Sequence, residues 1–184
     1  MSTLLPGRAA VRDLVASLVQ AAVIPFGGTV FRARIWPVQG FQLPAVLVYG
    51  WEETKTAHSL SSAESRYGVS CEMAVETQAA ADTAEDVEAL LEQIAGAVEN
   101  AILTSPALLG VAGLVERCAS VRTRIEFPEA ASSEQRVTGG VSIRFALEWS
   151  ESWDVVEPDA VGGCADCPDG PEIVLSLPIQ QPES

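Results

Sequence analysis

The chain has 184 residues, 25 acidic and 11 basic side chains, and a formal charge of −14 at neutral pH. That length suits one globular domain that needs no disulfides, and an apolar content of 48% excludes a wholly disordered chain. The acidic surplus argues against general nucleic-acid binding, which needs a net basic footprint.

The first element is a helix. Val11, Leu14, Val15, Leu18 and Ala22 follow helical spacing, with Arg12, Asp13 and Gln20 elsewhere on the wheel. It should end before Pro25, and Gly27-Gly28 should make the turn. Charged residues inside this segment argue against a secretory leader. The longest uninterrupted apolar runs, such as Leu108–Val115, fall short of the roughly 20 residues that span a bilayer. The expectation is therefore no membrane partner, a reducing cytoplasm and unpaired cysteines.

Strands are expected at Thr29–Trp36, bounded by Pro37, and at Ala45–Tyr49, bounded by Gly50. Residues 51–65 are polar, and we read them as a long mobile loop. The next strand, Arg66–Thr77, places Tyr67, Val69, Cys71, Met73 and Val75 on one face. Asp82 or Thr83 can then cap a long helix, with Glu85 and Asp86 near its positive end. Its apolar stripe is Val87, Leu90, Leu91, Ile94, Val98, Ala101 and Ile102, up to Pro106. A glycine-punctuated link, Leu108–Leu114, leads to two strands. In the first, Val121, Thr123, Ile125 and Phe127 oppose Arg122, Arg124 and Glu126. In the second, Val141, Ile143, Phe145, Leu147 and Trp149 oppose Ser142, Arg144 and Glu148. Residues 128–140 should form the polar tip between them. The order α-β-β-β-α-β-β, with clean in/out alternation, predicts an α+β domain: a mostly antiparallel sheet with two main helices packed on it.

Residues 151–184 differ in kind, so the chain divides into a 1–150 domain and an acidic, Gly/Pro-rich extension. From Asp154 onward there are seven acids and no Lys or Arg, so half of the charge surplus lies in the last 31 residues. Within them Ile173–Leu177 is β-prone and is ended by Pro178. This pattern suggests an arm that adds a strand to a neighbour's sheet, or a terminus that folds back on its own domain.

Residues with catalytic potential are sparse. His58 is the one histidine, and no nucleotide-binding glycine motif, P-loop or serine elbow occurs. We expect no catalytic residues, no cofactor and no metal site. Cys164 and Cys167, in a C-x-x-C, are the sole metal or redox candidates, and no second pair completes a four-ligand zinc site.

The basic residues are more informative, since ten of the eleven are arginine. Arg122, Arg124 and Arg144 share the outward face of the last hairpin, and Arg32 and Arg34 share a face of the first strand. One reading is a solvated face with Glu126 and Glu148 as partners. The other is an interface, where arginine is favoured for paired and stacked contacts. Ile173, Val174 and Leu175 are the interface candidates in the extension.

The stretch Val30–Glu53, VFRARIWPVQGFQLPAVLVYGWEE, resembles the tail-terminator proteins of long-tailed bacteriophages, the minor tail protein U type. The likeness lies in Arg34-Ile35-Trp36-Pro37, in the Leu43–Tyr49 strand, and in the polar segment, arginine-led strand, long helix and strand pair that follow, over roughly residues 5–150. It implies a structural virion protein, not an enzyme, that forms a ring, typically a hexamer, on the completed tail tube. The implied partners are copies of itself, the tail tube protein and the head–neck connector proteins. DNA would pass through the lumen without specific binding. The implied location is the tail–neck junction of the virion, with assembly in the host cytoplasm. Other readings of the same chain are a different head–tail neck or head-completion protein, or a small acidic enzyme or ligand-binding domain.

Overall fold

The computed structural model describes residues 7–32, 43–60, 64–111, 113–126 and 136–154. Helix α1 spans Arg8–Val23, followed by a 3-10 turn at Ile24–Phe26. Strand β1 is Thr29–Phe31, β2 is Ala45–Leu60 and β3 is Glu64–Ala81. Helices α2, Ala84–Leu103, and α3, Pro106–Leu109, precede β4, Arg117–Glu126, and β5, Val137–Asp154. The strands form one sheet in the order β1-β2-β3-β5-β4. Only the β1–β2 pairing is parallel; the other three are antiparallel. The fold is α+β, with both long helices on one face of the sheet.

Alternation in β3 and β5 builds the core. Val69, Cys71, Met73 and Val75 meet Val141, Ile143, Phe145, Leu147 and Trp149 beneath the helices, all buried. From α2 come Val87, Leu91, Ile94, Ala95, Val98 and Ile102. Each large side chain buried this way contributes about 1.5–3 kcal/mol. Thr83 caps α2, its hydroxyl oxygen accepting from the Asp86 amide at 3.1 Å. Pro25 ends α1 as expected, and Gly27 makes the turn at φ 70, a left-handed conformation that glycine adopts without strain.

The buried row of α1 is Val11, Val15, Ala16, Val19 and Val23, whereas Leu14, Leu18 and Ala22 flank it half-buried. Within the 19-residue segment Arg8–Phe26 an 18-residue window reaches a mean hydropathy of 1.5, enough by length and composition to cross a membrane. Counting only uninterrupted apolar runs misses this. The valine row, however, packs against the sheet and α2 as part of the core.

Residues 51–60 and 64–65 are strand, not loop, and 61–63 lie outside the described residues. Strand β2 continues to Leu60 and β3 begins at Glu64, so the two form a long antiparallel ribbon. The strand departs from simple alternation because of a register shift between Gly50 and Glu52. Val46, Val48 and Gly50 face the helices before it, and Glu53 and Lys55 share the Cys71–Val69 side after it. A β-bulge of this kind reverses the in/out parity and hides the strand from a period-two reading. A Cβ at Gly50 would lie 3.2 Å from the Arg8 side chain packed over it, so a larger residue would push that side chain aside by a few tenths of an ångström.

Other boundaries also move. The first strand stops at Phe31, and residues 33–36 of the expected strand lie outside the described residues. The link after α2 contains α3, whose Ser105 caps it by accepting from the Leu108 amide at 3.3 Å. Residues 137–140, expected in a hairpin tip, open β5 instead, where Gly140 pairs with both Gln78 and Glu126. Strand β5 runs on through Asp154, past the expected start of the extension, because β3 offers partners as far as Glu64.

Candidate functional site

The face of the sheet away from the helices carries a network that links three strands. Tyr49 on β2, Ala74 on β3 and Arg144 on β5 lie in one line across the sheet. Ala74 is small enough to leave space above it. Trp51, the residue displaced by the bulge, stacks on Arg144 with the guanidinium 3.9 Å from the ring centroid. Arg144 reaches Glu72 at 3.3 Å through Nη1 and Glu76 at 3.6 Å through Nη2. Tyr49 donates its hydroxyl proton to Glu76 at 2.6 Å. Ala74, Leu47 and Tyr49 are buried beneath this assembly, while Trp51 remains 50% exposed.

Arg144 is therefore clamped and only 22% exposed, not a solvated member of an outward row. The remaining arginine candidates are looser. Arg32 follows β1 and pairs with Asp13 at 3.5 Å. Arg124 pairs with Glu126 on its own strand at 2.9 Å, and Glu148 is taken by Arg117 across the hairpin. Arg122 sits directly opposite Arg144 in the register, is exposed, and has no hydrogen-bond or ion-pair partner among the described residues. Arg34, Ile173, Val174, Leu175, Cys164 and Cys167 lie outside the described residues.

On the helix side, the ribbon beyond Val69 carries a second polar cluster that sequence reading missed. Lys55 donates to Glu151, which also accepts from the Trp149 indole at 3.0 Å and from Trp153. Glu151 is 4% exposed. Burial alone would raise its pKa, but the hydrogen bonds from Lys55 and Trp149 outweigh that and hold it below the usual carboxylate range. The bond to Glu151 raises Lys55 against the opposing effect of burial. Trp153 lies 5.2 Å from the ammonium and is 57% exposed. The signal in the sequence was Trp149-x-Glu151-x-Trp153 continuing the β5 alternation, obscured because 51–60 was not recognised as its neighbour's partner.

Among the described residues, nucleophile, base and orienting groups do not converge. A cleft of about 490 Å³ on the outer face is lined by Thr56, His58, Ser70, Glu148 and Ser150 among others. His58 packs over Gly68, where a Cβ would fall 2.2 Å from its Nε2. Among the described residues it makes no hydrogen bond to either serine or to Glu148, so no nucleophile–base–orienter chain is assembled. No three His, Cys, Asp or Glu side chains group to hold a metal among the described residues. Burial and the nearby Glu53 push the Cys71 thiol up to about 11, which suits a buried core residue and not a nucleophile.

No protein-family model and no curated protein matches the chain. Among solved structures it is similar to a chain of the virion of a native gene transfer agent particle, at 17% identity and a TM-score of 0.39, covering 80% of this chain and all of that one. It is also similar to a sheath/tube terminator, in the extended state, of an extracellular contractile injection system, at 12% identity and a TM-score of 0.32, covering 92% of this chain and 63% of that one. Likenesses this distant carry no functional argument.

Proposed function

We propose that this chain is a structural subunit of a phage-type tail, forming a hexameric ring that caps the tail tube, stops its growth and presents a surface for head joining. The observation that carries the reading is the Trp51–Arg144 stack clamped by Glu72 and Glu76, with Trp51 half-exposed on the sheet face away from the helices. An aromatic ring held half-exposed on a fixed arginine is a pre-organised anchor of the kind that dominates interface energetics. The resemblance of Val30–Glu53 to tail terminators supplies the kind of interface, since Trp51 lies inside that stretch. Its partners in this reading are further copies of the chain, the tail tube protein and the head–neck connector proteins. Arg32, Arg34, Arg122 and Arg124 would contribute charged contacts at their edges.

The net charge of −14 agrees with a ring on the path of DNA, because like charge lets the phosphates pass without adhering. The protein would then reside at the tail–neck junction of the virion after assembly in the host cytoplasm.

The test is growth of tail tubes from their tube protein with this chain present, measured as lengths by electron microscopy. Wild type should shorten the tubes and leave one end capped. Trp51→Ala should bind the ends at least about tenfold more weakly, as expected for loss of a central aromatic anchor, while keeping the circular dichroism of the folded chain. Tubes of unchanged length with wild type would overturn the proposal.

A further inference from the structure

Strand β4 forms an edge of the described sheet, and no strand among the described residues pairs with its other side. Its helix-side residues are incompletely covered: Val121 and Ile125 are half-buried and Thr123 is exposed. Thr123 donates to Glu99 of α2, and Leu103, one turn further along the same helix row, is 42% exposed. The outer row holds Arg117, Ser120, Arg122, Arg124 and Glu126; Arg117 and Arg124 are paired with Glu148 and Glu126, which leaves Arg122 as the cation an incoming acid would meet. Arg122 faces the like charge of Arg144, whose carboxylate partners are already engaged. Such an edge exposes backbone donors and acceptors, and like charges opposed across strands are destabilising. It is complementary to a strand with an acid on its outer face and apolar residues on its helix face.

The C-terminal sequence contains that pattern. In Glu172–Leu177, period two places Glu172, Val174 and Ser176 on one side and Ile173, Leu175 and Leu177 on the other. Laid along β4, the first set meets the arginine row. The second extends the apolar face of Val121 and Ile125 towards Leu103. The chain after Asp154 has six acids and no base, so the attraction to the arginine edge is general as well as local.

Reach favours the same chain over a second copy. β5 continues six residues past Glu148, the partner of Arg117. The described strand β5 therefore ends about 20 Å beyond the start of β4. The connecting residues 155–171 number 17. Fully extended, 17 residues span at most about 56–61 Å, so that distance is within their reach. A tether that can span its site gives an effective concentration in the millimolar range.

We propose that Glu172–Leu177 adds a strand to the open side of β4 in its own chain, capping the arginine edge. This contact does not depend on the ring reading. It would shield the edge in the free subunit from pairing with other edges.

The test is amide hydrogen exchange on the full chain, comparing wild type with Leu175→Pro, which removes a ladder donor and fixes φ. A millimolar effective concentration acting on a sub-millimolar strand affinity gives about tenfold protection. The β4 amides that point away from β5 should therefore exchange about tenfold faster in L175P, while β3 and β5 amides keep their wild-type rates. Glu172→Arg should accelerate the same β4 amides, and adding Arg122→Glu to it should restore their protection. Equal β4 exchange in wild type and L175P would overturn the proposal. Wild-type protection that disappears on hundredfold dilution, together with a dimer mass, would also overturn it by assigning the strand to a second copy.

Discussion

Replacing Lys55 by methionine tests what holds the ribbon together on its helix side. Methionine keeps the length of the lysine stem and removes its charge. Glu151, 4% exposed, would keep only neutral donors, chiefly the Trp149 indole at 3.0 Å. A hydrogen bond to a charged group is worth about 1.5–3 kcal/mol, and orphaning one partner of a fully buried pair costs about 3–5. The Lys55 side chain is 33% exposed, so water screens its end of the pair. The expected loss is then near the lower bound, about 2 kcal/mol, or roughly 5 °C in Tm for a domain of this size.

The pH dependence carries its own sign. The Glu151 pKa is lowered in the folded state, so its contribution is complete above the ordinary carboxylate range and is lost as pH falls through the folded value. The Lys55 pKa is raised, so its contribution is complete below the ordinary lysine range and is lost as pH rises through the folded value. The gap between wild type and K55M should therefore be widest between about pH 5 and pH 10 and should narrow outside that window. Urea unfolding at a series of pH values measures it. The double variant K55M/E151L, which removes the orphaned charge, should recover most of the loss. A K55M loss below about 0.5 kcal/mol at neutral pH, the value of an ordinary surface pair, would refute the reasoning. So would a loss that stays the same in acid.

Three further outcomes are expected. Arg144→Lys cannot contact both Glu72 and Glu76 while lying flat on Trp51, so it should cost about 1–2 kcal/mol in urea unfolding and change the tryptophan emission. Thr83→Ala removes the oxygen that accepts from the Asp86 amide and should destabilise the chain by about 1 kcal/mol, read by thermal melting. Cys71, fully buried with its thiol pushed up to about 11, should resist a thiol reagent at pH 8 until urea unfolds the chain, whereas the half-buried Cys118 should react earlier.

What could be read before the structure depended on unbroken periodicity. The apolar stripe of α2 and the alternation of Val141 to Trp149 each repeat over several turns or pairs, and both were placed on the correct face. Strand β2 was cut short at Tyr49 because the bulge at Trp51 reverses its parity. In α1 the valine row faces the sheet and the leucines flank it, a rotation that two adjacent apolar rows do not resolve. The arginines of the last hairpin were assigned to the right face, yet nothing in a single strand indicates that Ala74 lies between Tyr49 and Arg144. Cross-strand register creates the Trp51–Arg144 stack and the Lys55–Glu151 pair, so neither was legible. Register is set by turns, bulges and the burial of several strands together.

The central claim concerns assembly on a tube end, and the mass of the capped complex addresses it most directly. Tubes of defined length, saturated with this chain and washed, should gain six copies at one end, about 116 kDa from subunits of 19.4 kDa. A sixfold ring at that end would accompany the mass. Tubes that gain no mass, or gain it along their whole length, would contradict the account.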